Sequence, residues 1–292
     1  MRLDELPTSD RVEDRRGMTA GRAGGMGIGT VVVLGLIGWA LGIDPRVLIG
    51  GAEQMLSQGG QTQQQQVPTG AASDETGEFI SAVLGSTEEV WTGVLAQHGE
   101  TYKPPTLVMF SRATQSGCGF AQSAMGPFYC PNDKKVYLDT SFFQDLERRF
   151  GACDVGSKTC QFAQAYVIAH EIGHHLQNQL GLLPQVQQKQ RAMGQAEANS
   201  LQVRVELQAD CLAGAWANRA QAKWQFIEAG DVEAAMQTAS AIGDDRLQRQ
   251  AQGYVVPDSF THGTSAQRTR WFMTGLKSGD LSSCNTFRTQ EP

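Results

Sequence analysis

Charge of either sign is scarce in this chain of 292 residues. Asp, Glu, Lys and Arg make up 18% of it, and 24 Lys+Arg against 30 Asp+Glu leave a formal net charge of -6. With no basic field to gather phosphates, nucleic acid is not an expected partner. Cysteine is sparse too: six residues, none in a Cys-x-x-Cys pair, which excludes a zinc ribbon or a thioredoxin-like motif. The even number fits disulfides in an oxidising compartment. Long apolar runs are absent but for one, and only five histidines occur. What is present is a 40% hydrophobic content, enough for one sizeable folded domain.

Residues 1–26 carry five Arg against five acids with no apolar periodicity, and are expected to be a disordered cytoplasmic tail. The single apolar run, residues 27–43, is uncharged over 17 positions and would reach roughly 25 Å as a helix, the lower limit for a membrane span. Arg15, Arg16 and Arg22 precede it, so the positive-inside bias places the N-terminus in the cytoplasm and the remainder outside, anchored to the inner membrane by one transmembrane helix. Cleavage near Ala40-Leu41-Gly42 is the alternative, and either choice exports the rest. Residues 44–73, with GlyGly and the run Gln63 to Gln66, form a Gln/Gly-rich linker.

The folded part, 74–292, opens with Phe79, Val83, Leu84, Val90, Trp91, Val94 and Leu95 at helical spacing. His98 falls at the end of that helix and has a structural role there. Strands follow at Thr106 to Phe110, then at Phe128 to Cys130 and Lys135 to Leu138 on either side of a Pro131-Asn132-Asp133 turn. From Ser141 on the patterns are helical: Phe162 to Leu180, one long segment from Gln185 to Ala229, and Ser265 to Lys277. The expected class is α+β, mainly helical, with a small sheet. If the domain is exported, Cys118 pairs with Cys130 and Cys153 with Cys160, leaving Cys211 for Cys284.

Three of the five histidines lie within six residues, in AHEIGHHL. His170 and His174 are spaced i, i+4 on an apolar helix, so both imidazoles can reach one Zn²⁺. Glu171 between them is placed to act as general base on water activated by the metal. His175 is expected to point away. A catalytic zinc site wants a third protein ligand. In ELQAD, Glu206 supplies it, while Asp210 accepts the free N–H of a ligating His and fixes its tautomer. The reverse assignment of these two acids is the internal rival, and Glu197 a weaker candidate.

HEIGHH followed by ELQAD resembles the gluzincin arrangement. ELQADCLAGAW together with SFTHGTSAQRTRWF is similar to the bacterial neutral zinc metallopeptidases, a family of single-span membrane proteins, over most of the chain. A fainter likeness, Glu-x-x-Ala-Asp and then Thr-His with an Arg a turn later, links it to the prenyl-protein and heat-shock-associated membrane metalloproteases. The resemblance implies a zincin-like domain with one Zn²⁺ per chain, and it places His262 near the site, where it would steady the developing oxyanion. Arg268 would support His262 or make a surface salt bridge. The pair Cys153 and Cys160 departs from the plain pattern as a local loop insertion. Peptide would bind along the edge formed by residues 124–130. The expected function is thus a membrane-anchored zinc metallopeptidase acting on a peptide or protein. The alternatives are a metal-binding, non-proteolytic module holding a partner at the membrane, or a zinc amidase.

Overall fold

Asp74 starts the first helix. Its carboxylate accepts the Gly77 backbone N–H at 2.9 Å, and Glu75 and Glu78 fill the first turn, where a negative charge suits the helix dipole. The computed structural model describes residues 1–17, 74–148 and 159–289. In this frame α1 (Glu75–Gln97) buries Phe79, Val83, Trp91 and Leu95 in the main core, with His98 as its C-cap residue. Strands β2 (Thr106–Phe110), β5 (Phe128–Cys130) and β6 (Lys135–Asp139) follow, with a hairpin of β3 (Ala113–Ser116) and β4 (Gly119–Gln122) between the first two. β2 pairs parallel with β6 and β5 antiparallel with it, which leaves β5 at one end of the sheet.

The helical half consists of α2 (Ser141–Arg148), α3 (Thr159–Gln179), α4 (Leu182–Gln190), α5 (Gln195–Trp224), α6 (Asp231–Ala241), α7 (Asp244–Gln252) and α8 (Ser265–Ser278). The architecture is a mainly helical α+β domain with a small sheet. The segment helical in pattern around Gln185 to Ala229 holds two helices: α4 ends at Gln190, and α5 begins after Gly194. α5 is the central element, lying between α3 and α8. Cys211 on α5 is bonded to Cys284, and Cys118 beyond β3 is bonded to Cys130 on β5. Cys160 is disulfide-bonded as well, whereas Cys153 lies outside the described residues.

The first 17 residues are not the disordered tail that their composition suggests. β1 (Val12–Asp14) adds to the sheet parallel to β2, giving the order β1-β2-β6-β5, with Val12 opposite Leu107. Met1, Leu6 and Val12 are buried in the main core. The charges that make this segment look soluble are consumed locally. Arg15 pairs with Glu13 at 2.8 Å, Lys135 with Glu13 at 2.7 Å and Arg16 with Asp14 at 2.8 Å. An edge strand needs few inward side chains, so Val12 suffices for β1, with Met1 and Leu6 buried ahead of it, where a periodic run would be required of a helix. Residues 18–26, the proposed span at 27–43 and the linker at 44–73 lie outside the described residues. No described helix is long and apolar enough to cross a membrane.

Candidate metal centre and active site

α3 and α5 cross closely, and one residue inside the His-Glu-x-x-His stretch permits it. A Cβ on Gly173 would stand 3.1 Å from Ala209 Cα and 3.2 Å from its Cβ, so any larger side chain would push α5 away from the histidines. At this crossing His170, His174 and Glu206 meet. His170 Nε2 lies 3.1 Å from His174 Nε2 and 3.2 Å from Glu206 Oε2, and His174 Nε2 lies 3.4 Å from the same oxygen. Three donors placed tetrahedrally at 2.0–2.1 Å from one zinc ion would be about 3.3 Å apart. Gln202 donates to the other oxygen of Glu206 at 3.0 Å, which turns Oε2 toward the histidines.

The tautomers follow from the remaining partners. His170 Nδ1 is 2.8 Å from Asp210 Oδ1, and His174 Nδ1 is 2.8 Å from Gln177 Oε1. Both partners are acceptors, so each Nδ1 carries the hydrogen and each Nε2 presents a lone pair. Two lone pairs and a carboxylate oxygen thus converge in a buried space, an arrangement that repels itself and that a divalent cation stabilises. The donor set fits zinc: two neutral imidazoles and one carboxylate. A proton competes for the same place. Burial pushes the His170 pKa down, but Asp210 and the hydrogen bond to Glu206 outweigh it and lift the group to about 10. Burial likewise raises Glu206, and the two histidines more than reverse that, holding it well below the usual carboxylate range.

Asp210 is fully buried and accepts from four donors on three residues of two helices, α3 and α8. Besides His170, it receives Tyr166 Oη at 2.6 Å, Arg268 Nε at 2.9 Å and Arg268 Nη2 at 3.0 Å. Its pKa is about 2, because the Arg268 and His170 charges overcome the upward push of burial. The expected support of His262 by Arg268, or its place in a surface salt bridge, is therefore corrected: Arg268 is itself buried and belongs to Asp210. A desolvated Asp would be unstable as an anion beside one imidazole, and the guanidinium supplies the balance.

A cleft of about 530 Å³ opens over this centre, and Glu171, Tyr129, Phe128 and His262 are among the residues that line it. Glu171 is nearly buried beside the ligand cluster. His262 is half-exposed, and Asp244 at the start of α7 fixes it: Oδ1 lies 3.1 Å from Nδ1, while Oδ2 accepts the backbone N–H of Thr261, His262 and Gly263. That hydrogen bond to Asp244 raises the His262 pKa. His175 does point away from the cluster. It donates from Nε2 to the Lys103 carbonyl at 2.7 Å, and its Nδ1 is 3.2 Å from Tyr129 Oη, which ties α3 to β5. Glu197 sits exposed in the first turn of α5 and is not part of the cluster.

Three participants escaped the sequence: Gln177, Asp244 and Tyr166. Gln177 lies three residues after His174 on the same helix, a spacing that was readable. It also donates to the Val205 carbonyl at 2.8 Å and to Gln208 at 3.0 Å, so one buried amide joins α3 to α5. Asp244 left no local signal, since it acts through a loop 17 to 19 residues downstream.

Two helices carrying His-Glu-x-x-His and Glu-x-x-x-Asp bring His170, His174 and Glu206 together as a group that could hold one metal ion. The chain belongs to a family described as "Putative neutral zinc metallopeptidase", whose model matches residues 1–287. It is 46% identical over 296 aligned residues to Uncharacterized protein YpfJ of Escherichia coli (strain K12), covering 98% of this chain and 99% of that one. It is also 43% identical over 217 residues to Uncharacterized protein Rv2575 of Mycobacterium tuberculosis (strain ATCC 25618 / H37Rv), covering 71% and 69% respectively. No solved structure matches.

Proposed function

We propose that the protein is a zinc-dependent peptidase with one zinc per chain, held by His170, His174 and Glu206. The observation that carries this is the meeting of those three acceptors with Glu171 in one cleft bounded by a sheet edge. When bound, zinc supplies a Lewis acid for the scissile carbonyl and lowers the pKa of water. Glu171 takes the proton of the attacking water and passes it to the departing amine. His262 donates from Nε2 to the carbonyl oxygen as it becomes negative. Asp244, accepting from Nδ1, keeps the ring oriented and favours its cationic form.

The substrate is an extended peptide. β5 stands at the end of the sheet with its outer edge unpaired among the described strands, and an added strand gains main-chain hydrogen bonds there. The disulfides support an oxidising, extracytoplasmic compartment for the domain, and the apolar run at 27–43 supports membrane attachment.

Incubating the purified full-length protein with a peptide mixture and identifying products by mass spectrometry tests this function. Cleavage of internal peptide bonds should stop with a chelator and return with Zn²⁺. Metal binding without cleavage of any amide would favour the partner-binding module instead, and cleavage confined to non-peptide amides would favour an amidase.

A further inference from the structure

We infer that residues 1–17 stand on the same side of any membrane as the folded domain from Asp74 onward. This concerns topology alone and is independent of the hydrolase function. It replaces the cytoplasmic tail that a one-span anchor at 27–43 requires.

Four contacts carry it. β1 is hydrogen-bonded into the sheet beside β2. Ser9 donates its N–H to the Ser81 carbonyl at 3.1 Å, receives Ser81 Oγ on its own carbonyl at 2.7 Å, and bonds Glu88 through Oγ at 2.6 Å, all on α1. Arg16 grips Asp74 with both terminal nitrogens, at 2.8 and 3.0 Å, so the two ends of the intervening chain are joined. Finally, α1 is shaped to receive this segment: a Cβ on Gly85 would stand 2.3 Å from the Pro7 carbonyl oxygen and 2.7 Å from Thr8 carbon. A helix interior gains from Ala over Gly unless something occupies the space, and residues 7 and 8 occupy it. None of these contacts can form across a hydrocarbon layer about 30 Å thick. Arg15 and Arg16, two of the three arginines behind the positive-inside expectation, are paired within this docked segment. The family match also begins at residue 1, which makes the segment part of the family's unit.

The test uses the full-length chain in cells. Asp10→Cys and Glu100→Cys place single thiols on exposed positions of the docked segment and the domain. A membrane-impermeant maleimide should label both in intact spheroplasts, or both only after permeabilisation. Labelling of Glu100→Cys outside with Asp10→Cys reached only after permeabilisation would overturn the inference. A second measurement holds if either thiol reacts poorly. In sealed native membranes, Gly93→Ala, with nothing within 4 Å of its Cβ, should raise the melting temperature, whereas Gly85→Ala should lower it. If both raise it, residues 7–8 are not docked on α1 and the inference fails.

Discussion

Asp210 shows how far a single residue's role depends on what surrounds it. Alone it is a buried acid beside His170. With Arg268 and Tyr166 it becomes a fixed acceptor that sets the His170 tautomer. Asp210→Asn should weaken zinc or activity by roughly 10- to 100-fold, as for other groups that orient a ligand. Glu206→Gln, which loses the ligand charge, should weaken zinc more, and dialysis against a graded chelator separates the two; the opposite order would exchange ligand and supporter. Gln177→Leu should also speed zinc loss, because His174 Nδ1–H then lacks its acceptor, while Gln177→Glu restores an acceptor and should recover much of the retention. His175 makes a pH prediction. Burial lowers its pKa to about 4, so the unfolded chain binds the extra proton between about pH 4 and its ordinary 6.5. Its stabilising contribution is therefore complete above 6.5 and lost as pH falls toward 4, on the order of 3 kcal/mol in all. In metal-free protein, the melting temperature should fall less between pH 7 and pH 5 in His175→Asn than in wild type; an equal fall would mean that His175 is not held neutral.

At the scale of elements, the site is a property of one helix crossing. Gly173→Ala should cost about 1–3 kcal/mol in overpacking against Ala209 and move Glu206 relative to the histidines, which a lowered melting temperature together with faster zinc loss would register. Unchanged zinc retention would show that α5 can shift without the ligands. This also explains what the sequence made legible. His170, His174, Glu171, Glu206 and Asp210 were readable because ligands at i, i+4 share a helix face and the chemistry restricts their types. β2, β5 and β6 stood out as runs of β-branched and aromatic residues around a Pro-Asn-Asp turn. β1 did not, because three residues cannot show a period and its charges looked like solvation. β3 and β4 are short and mostly small or polar, Ala-Thr-Gln-Ser and Gly-Phe-Ala-Gln, and the turn between them is tied to β5 by the Cys118–Cys130 bond. α6 and α7 are short and rich in Ala, Gln and Asp. Asp244, which those helices bring to His262, was out of reach for the same reason.

Over the whole molecule, long-range ties hold the cleft in place. The bond between Cys211 and Cys284 closes a loop of 73 residues one position from Asp210, and loop-closure entropy alone assigns it about 4 kcal/mol. On the proposed function zinc would add to this by mass action, binding the folded arrangement of α3 and α5 and not the separated histidines. Domain, sheet edge and metal centre thus converge on one claim: His170, His174 and Glu206 hold the metal while Glu171 handles the proton. The most direct test is the rate of peptide hydrolysis by the Glu171→Gln protein, with its zinc content confirmed in the same sample. The expected result is one zinc per chain and a rate at least a hundredfold below wild type; zinc-loaded Glu171→Gln cleaving peptides at the wild-type rate would contradict it.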